Sequence, residues 1–381
     1  MTAHKLHITF CTDGIYPHEV GGIQRHSRLL IEAIARLDVV KLSVIHPHIE
    51  KKVFDNPNIE EYDLNLHFDS KLYAVNCAKY SKSVYAILQK LKPDIVYAQG
   101  LAVYSGIQHI GYKTIVNPHG LEPYNGLTLR DKFTTWPLRI YLNRVFKHSA
   151  FIVSLGGELS DIIHSKAGIA KKKIVVLPNA VNLIPKTEKK FNTGKKSFLF
   201  VGRFAHNKGI DLLLRSIEKI NAKGYENKCV FNLVGKGPLY EKMKHRYSLS
   251  NVIFHGFAND EMLEHQYSSN DVFVFPTLFE GMPTVVLEAM VHGMPIIVSN
   301  TGATIELVDA TNGYLIEKNN EDQLVQAITS ILEADENKLQ KMSEASYEKV
   351  KNNFTWDIVA QKHLAIFSQL ASHNKQVENK K

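Results

Sequence analysis

Two glutamates, Glu280 and Glu288, bracket a turn in the stretch PTLFEGMPTVVLEAMVHGMPIIVSN, where a strand-like run passes into an apolar helix. A carboxylate at such a junction is either a solvated cap or a grip for vicinal hydroxyls of a sugar or ribose, because it accepts hydrogen bonds in two directions. No Asp-x-Asp pair stands anywhere in the chain to hold a metal. Upstream, FLFVGRFAHNKGIDLLLRSI ends a strand at Val201, lets the backbone come close at Gly202, and flanks a loop with Arg203 and Lys208 before a helix opens near Gly209. A helix start is already an anion site, and a guanidinium fork plus an ammonium suits it to a diphosphate. The plainer reading is two surface cations on a connecting loop.

Weaker signals share that character. Gly21 and Gly22 in GGIQRHS stand at a helix start where bare amides can approach a phosphate or an acceptor, or form an ordinary turn. Gly235 in VGKGP marks another glycine-rich strand exit. His119 lies between Pro118 and Gly120 in NPHG, as a turn residue or as a group facing a ligand.

These loops need strands and helices to hold them. Strand-like runs KLHITFCTD, VVKLSVIHP, PDIVYAQG, KTIVNPHG, AFIVSLGG and KKIVVLPNAV alternate with helical patterns through the first half. In one of these, Leu29, Leu30, Ala33, Ile34 and Leu37 form one face. The Lys-rich passage IPKTEKKFNTGKKS (184–197) reads as a linker. The alternation then resumes with FLFVGRF, VFNLVGKG, VIFHGF, DVFVFPT, PIIVSN and GYLIE. Continuous apolar strands alternating with helices predict parallel sheets covered on both faces, hence an α/β protein of two doubly wound domains. Ligands of such sheets sit beyond the carboxyl ends of the strands, so two facing domains would put one substrate on each wall of a cleft. The helix that carries Glu288 in its second turn is expected to start with Pro283 in its first position, to bury Val286, Leu287, Met290 and Val291, and to turn Glu288 toward the mouth occupied by Glu280. FTWDIVAQKHLAIFSQL predicts a last helix, and the tail ASHNKQVENKK reads as frayed.

Bulk composition limits the function. At 381 residues, 44% hydrophobic and 22% charged, the chain is that of a globular protein with room for two cores. Cys11, Cys77 and Cys229 are scattered, which argues for a reducing compartment and against a disulfide framework or structural zinc. The first residues are too interrupted by polar groups for a signal peptide, and no run reaches the roughly 18 apolar residues of a membrane span. A cytoplasmic protein is the expectation. A formal charge of +8 and a pI of 9.1 suit phosphate-bearing ligands, anionic lipid or nucleic acid without choosing among them. No nucleic-acid module is recognisable. Residues 129–149 mix Lys132, Arg139, Arg144 and Lys147 with Phe133, Trp136, Tyr141 and Phe146, as in an interfacial membrane helix or an ordinary amphipathic one.

FEGMPTVVLEAMVHGMPII, together with VGRFAHNKGIDLLL, VNPHG, VLPNAVN and the early GGIQ, resembles glycosyltransferase family 4, retaining enzymes of the GT-B fold with an E-x7-E motif. The resemblance implies an acceptor-side Rossmann-like domain over 1–185, a nucleotide-sugar-binding one over 186–355, and a final helix (356–373) that crosses back to the first. It also implies residue roles. Arg203 and Lys208 would bind the donor diphosphate, Glu280 the sugar hydroxyls and Glu288 the ribose. His119 would lie beside the anomeric carbon, Gly22 would offer its amide to the phosphate, and Gly235, Gly281, Met282, Pro283 and Thr284 would line the donor site. The co-substrate would be a nucleotide sugar, UDP favoured over GDP. No cofactor or metal is expected, because fixed cations stand in for one. The acceptor would be a glycan or a lipid-linked sugar at the inner leaflet of the plasma membrane. Other readings are a GT-B nucleotide-sugar epimerase or hydrolase, and a non-catalytic nucleotide-sugar-binding protein. Two departures matter. Many members read E-G-F-G where this chain has Met282 and Pro283, so one backbone N–H is missing, and many have Asp where Asn182 stands.

Overall fold

The computed structural model describes residues 5–19, 21–48, 52–66, 73–125, 129–186, 189–191 and 194–378, with the side chains at 73–75, 129–134 and 378 outside that description. The chain forms two units, Met1–Asn179 with Trp356–Lys381, and Ala180–Thr355.

The first unit is built on β1 (Leu6–Cys11), β2 (Val40–His46), β3 (Ile59–Asp63), β4 (Ile95–Gln99), β5 (Thr114–Asn117), β6 (Phe151–Ser154) and β7 (Ile174–Val176), in the spatial order β3-β2-β1-β4-β5-β6-β7. The second carries β8 (Lys196–Val201), β9 (Cys229–Val234), β10 (Val252–Gly256), β11 (Val272–Phe275), β12 (Ile296–Ser299) and β13 (Gly313–Ile316), ordered β10-β9-β8-β11-β12-β13. Every pairing within the two sheets is parallel. Central strands such as β4, β11 and β12 are buried along their whole length, as covering helices on both faces require. Strand order reverses between β1 and β4 in one sheet and between β8 and β11 in the other. Loops diverge there and leave a crevice, the usual place for a ligand in an open α/β sheet.

Five points of the sequence reading need correction. β3 was not foreseen: it is an edge strand, IEEYD, whose only fully buried residue is Ile59, so it lacks the apolar run that announces a central strand. The passage 184–197 is no free linker. Phe191 is buried, Tyr347 donates to the Ile184 carbonyl at 2.8 Å, and the Lys189 ammonium, its pKa lowered to about 8 by burial, reaches the Tyr267 carbonyl at 3.3 Å. The division between units falls six residues earlier than the sequence suggests, at Asn179 rather than 185. The tail is helical as far as Glu378, and Pro283 is the N-cap, one place before the helix Thr284–Val291.

The helix Trp356–Glu378 packs on the first unit. Val359, Ala360, His363 and Phe367 are fully buried, and the Phe367 ring meets Phe10 at 6.3 Å and Tyr97 at 5.8 Å between centroids. Truncating Phe367 to Ala removes that plug, and large aromatic-to-Ala changes in a core cost about 3–5 kcal/mol. Phe367→Ala should therefore lower the stability of the first unit by that amount in urea unfolding. A loss below about 1 kcal/mol would mean the helix is not a core element.

Candidate active site

The loops leaving β8 and β11 are locked together by backbone crowding. Gly209 sits at φ 68°, and a Cβ there would come within 1.9 Å of the Pro276 carbonyl oxygen. The Leu278 N–H and the Thr277 hydroxyl both donate to the Asn207 carbonyl, at 2.8 and 2.9 Å. Gly235, at φ 131°, would drive a Cβ to 2.0 Å from the Gly202 carbonyl oxygen. Only glycine tolerates these positions, since L side chains are strained at positive φ and no space remains beside the backbone.

On this platform Lys208 closes a short 3-10 turn, His206–Lys208, ahead of the helix Ile210–Ala222. Its Nζ lies 2.5 Å from Oε1 of Glu280, the side chains being 23% and 12% exposed. The Thr277 Oγ1, whose proton goes to the Asn207 carbonyl, lies 3.2 Å from the same carboxylate oxygen. Arg203 is exposed in the same loop, and among the described residues its guanidinium makes no hydrogen bond or ion pair. Lys208 and Glu280 therefore meet, and Arg203 stands exposed earlier on the loop that carries Lys208.

Glu288 has a different partner. Its Oε2 accepts a 2.8 Å hydrogen bond from the buried Tyr267 hydroxyl. Burial first, and then the Glu288 carboxylate, hold the Tyr267 phenol well above its usual range, so it stays a donor. Tyr267 lies on the helix Asp260–Ser269, remote in sequence from the motif, and nothing in its neighbourhood announced the role.

The remaining donor-side expectations divide. The N–H of Gly235 donates to the Gly256 carbonyl at 2.7 Å, so it shapes the crevice by close packing and has no amide to offer. Met282 is 4% exposed, with its side chain in the core. The Gly281 carbonyl accepts from the Ala303 N–H at 2.8 Å. Thr284 opens a helix with no acidic residue in its first turn, so nothing on that helix cancels the partial positive charge at its start. Pro283 supplies no N–H there.

In the first unit, Gly22 begins the helix Gly22–Leu37, exposed, with nothing within 4 Å of where a Cβ would stand. His119 follows β5 at φ 58°, held in that strained turn by its own N–H, which donates to Asn117 Oδ1 at 2.9 Å. Its Nε2 is sealed from solvent without a partner, and desolvation, with His363 adding to it, depresses its pKa to about 3. His26, one helical turn after Gly22 and 4% exposed, meets the His119 ring edge-on at 4.9 Å. The sequence reading missed His26. A polar residue just ahead of buried Leu30 and Ile31 was the available signal.

Exposed on the helix Leu129–His148 are Trp136 at 60%, Ile140 at 51% and Tyr141 at 38%, beside Arg144 and Lys147. Phe146 is instead fully buried, and the side chains of Lys132 and Phe133 lie outside the described residues. No helix among the described residues is long and apolar enough to cross a membrane. Among those residues, no group of three or more His, Cys, Asp or Glu side chains is arranged to hold a metal ion.

A family model for glycosyl transferases group 1 matches residues 184–349, and one for Glycosyltransferase Family 4 matches residues 20–184. The O-antigen biosynthesis glycosyltransferase WbnH of Escherichia coli is 30% identical over 247 residues, covering 64% of this chain and 68% of that one. A UDP-Gal:alpha-D-GlcNAc-diphosphoundecaprenol alpha-1,3-galactosyltransferase of the same species is 29% identical over 294 residues, 71% of this chain and 74% of that one. Among solved structures, sucrose-phosphate synthase from Thermosynechococcus elongatus shares the fold at a TM-score of 0.79 and 18% identity, over 97% of this chain and 100% of that one.

A double-mutant cycle tests the central pair. Lys208→Met and Glu280→Gln should each destabilise, and the double variant should lose less than the sum, with a coupling of about 1 kcal/mol or more for a mostly buried pair. Additive losses in denaturant unfolding would show that the two side chains do not interact.

Proposed function

The chain belongs to glycosyltransferase family 4, with the GT-B fold, and from that premise we propose that it moves a hexose or N-acetylhexosamine from a nucleotide sugar, UDP favoured, to a glycan or lipid-linked sugar. The setting is surface polysaccharide or glycolipid synthesis, with retention of anomeric configuration and no metal requirement. The observation that carries this reading is the Lys208–Glu280 pair beside an unengaged Arg203 at the β8/β11 switch point. UDP is favoured because a relative uses UDP-Gal, and a lipid-linked acceptor because that relative's acceptor is a diphosphoundecaprenol sugar.

The donor diphosphate competes with Glu280 for Lys208 and takes the Arg203 fork as its second cation. Glu280, released in part, turns its carboxylate to the sugar hydroxyls. Glu288, steadied by Tyr267, accepts from the ribose hydroxyls, and the start of the helix Thr284–Val291 faces phosphate charge. As the bond from C1 to the phosphate oxygen breaks, its electron pair stays on the phosphate. Negative charge grows where the cations stand, so they bind the transition state better than the ground state. The acceptor hydroxyl attacks C1 from the face the phosphate leaves, and its proton passes to that phosphate. His119 is a hydrogen-bonding partner of the transferred sugar rather than a nucleophile, and Gly22 offers a backbone amide to the phosphate. Trp136, Ile140 and Tyr141, with Arg144 and Lys147, suit peripheral contact with an anionic leaflet.

Melting in the presence of UDP, GDP and ADP sugars, with and without EDTA, checks the donor. A UDP sugar should raise Tm, and EDTA should leave the rise unchanged. Turnover abolished by chelation and restored by manganese contradicts the mechanism. Arg203→Ala and Lys208→Ala should each weaken UDP binding by about 10- to 100-fold, the worth of a charge-assisted contact. Glu288→Ala should bind UDP and dUDP alike, and a variant that still prefers UDP would remove the ribose role. Flotation with anionic vesicles should recover the protein where neutral vesicles do not.

A further inference from the structure

His119 is tied to the C-terminal helix twice. Along the first path, His363 Nδ1 lies 2.8 Å from the Val359 carbonyl, which can only accept, so that nitrogen carries the proton. His363 Nε2 then accepts from the Tyr97 hydroxyl at 3.2 Å, and Tyr97 in turn accepts from Asn117 Nδ2 at 3.0 Å. Asn117 Oδ1 holds the His119 N–H. One donor-only or acceptor-only group at the end of a chain thus fixes every proton along it.

The second path runs to the ring. Trp356, two helical turns before His363 and 4% exposed, lies 5.4 Å from the His26 ring, and His26 lies 4.9 Å from His119. Trp356 Nε1, both ring nitrogens of His26 and His119 Nε2 are all sealed from solvent with no partner among the described residues. Buried polar atoms are rarely left so, and here they stand in one cluster inside a single unit. Desolvation first, with the neighbouring histidines adding to it, holds His26 well below its usual pKa, so both imidazoles are neutral and each carries one proton.

We infer that Trp356 and His26 are positioning residues that fix the tautomer of His119, making it a hydrogen-bond donor through Nδ1. The indole N–H can only donate. It donates to one nitrogen of His26, whose other nitrogen bears the proton and donates to His119 Nε2. Each link runs through one internal water, which passes the direction on unchanged. His119 must then keep its proton on Nδ1, which is not among the sealed atoms. It presents N–H, not a lone pair, to a ligand oxygen, and cannot accept a proton there. This rests on His119 standing beside the transferred sugar, but the proton arrangement belongs to the ligand-free protein.

The test is long-range 1H–15N correlation of 15N-histidine-labelled full-length protein, with the His119 signals assigned by their loss in His119→Asn. The Nδ1–H tautomer is expected in the wild type. Trp356→Phe keeps the ring and removes the donor, so it should give a mixture of tautomers and lower kcat about tenfold, with donor KM within about twofold. His26→Phe should do the same and serves if Trp356→Phe fails to fold. An Nε2–H tautomer in the wild type overturns the inference, as does a tautomer unmoved in both variants or a kcat untouched by both. Wild-type protein with the expected tautomer and no transfer activity counts against the proposed reaction alone and supports the proton arrangement.

Discussion

A lysine and a glutamate held against each other at a strand mouth organise the second unit. Neither Lys208 nor Glu280 is well exposed, so each would be costly without the other. Their meeting requires the β8 and β11 loops to touch backbone to backbone, which is why Gly209 stands where a Cβ would strike the Pro276 carbonyl. Such a pair is poised rather than inert. A polyanion can draw the ammonium away, and a polyhydroxyl can occupy the carboxylate that is left, so one ligand carrying both chemistries satisfies both partners at once.

Much of the fold was legible because parallel strands buried on both faces have to be continuous and apolar. That signal found β1, β2 and β4 to β13 and failed at β3, where Glu60 and Asp63 are exposed and only Ile59 is buried. It also failed at 184–197, where lysine density hid Phe191 and the contacts that fasten the passage to the second unit. Composition reports what a segment is made of, and attachment depends on a few buried groups. Pro283 was placed one position too deep because a residue suited to a first helical turn also serves as a cap.

In the candidate site, partnerships were harder to read than strand-end positions. Lys208 and Glu280 meet because they follow the neighbouring strands β8 and β11. Glu288 is gripped by Tyr267, from a helix that no spacing rule connects to it. Gly235 illustrates the opposite failure: a glycine at a strand exit suggests an amide for phosphate, yet its N–H is already bonded to Gly256. His26 and Trp356 escaped notice because buried polar residues on apolar faces resemble ordinary core members until the unpaired atoms are counted.

The helix Trp356–Glu378 is made after the whole of the second unit, yet Phe367 closes the core of the first unit, whose strands precede it. On the ribosome, Phe10 and Tyr97 emerge hundreds of residues before the ring that covers them, while the second unit already has all its strands. The order of maturation is thus inverted, with the second unit complete before the first. A nascent chain keeps an open apolar seam until this helix emerges, a stretch in which chaperone occupancy would be greatest.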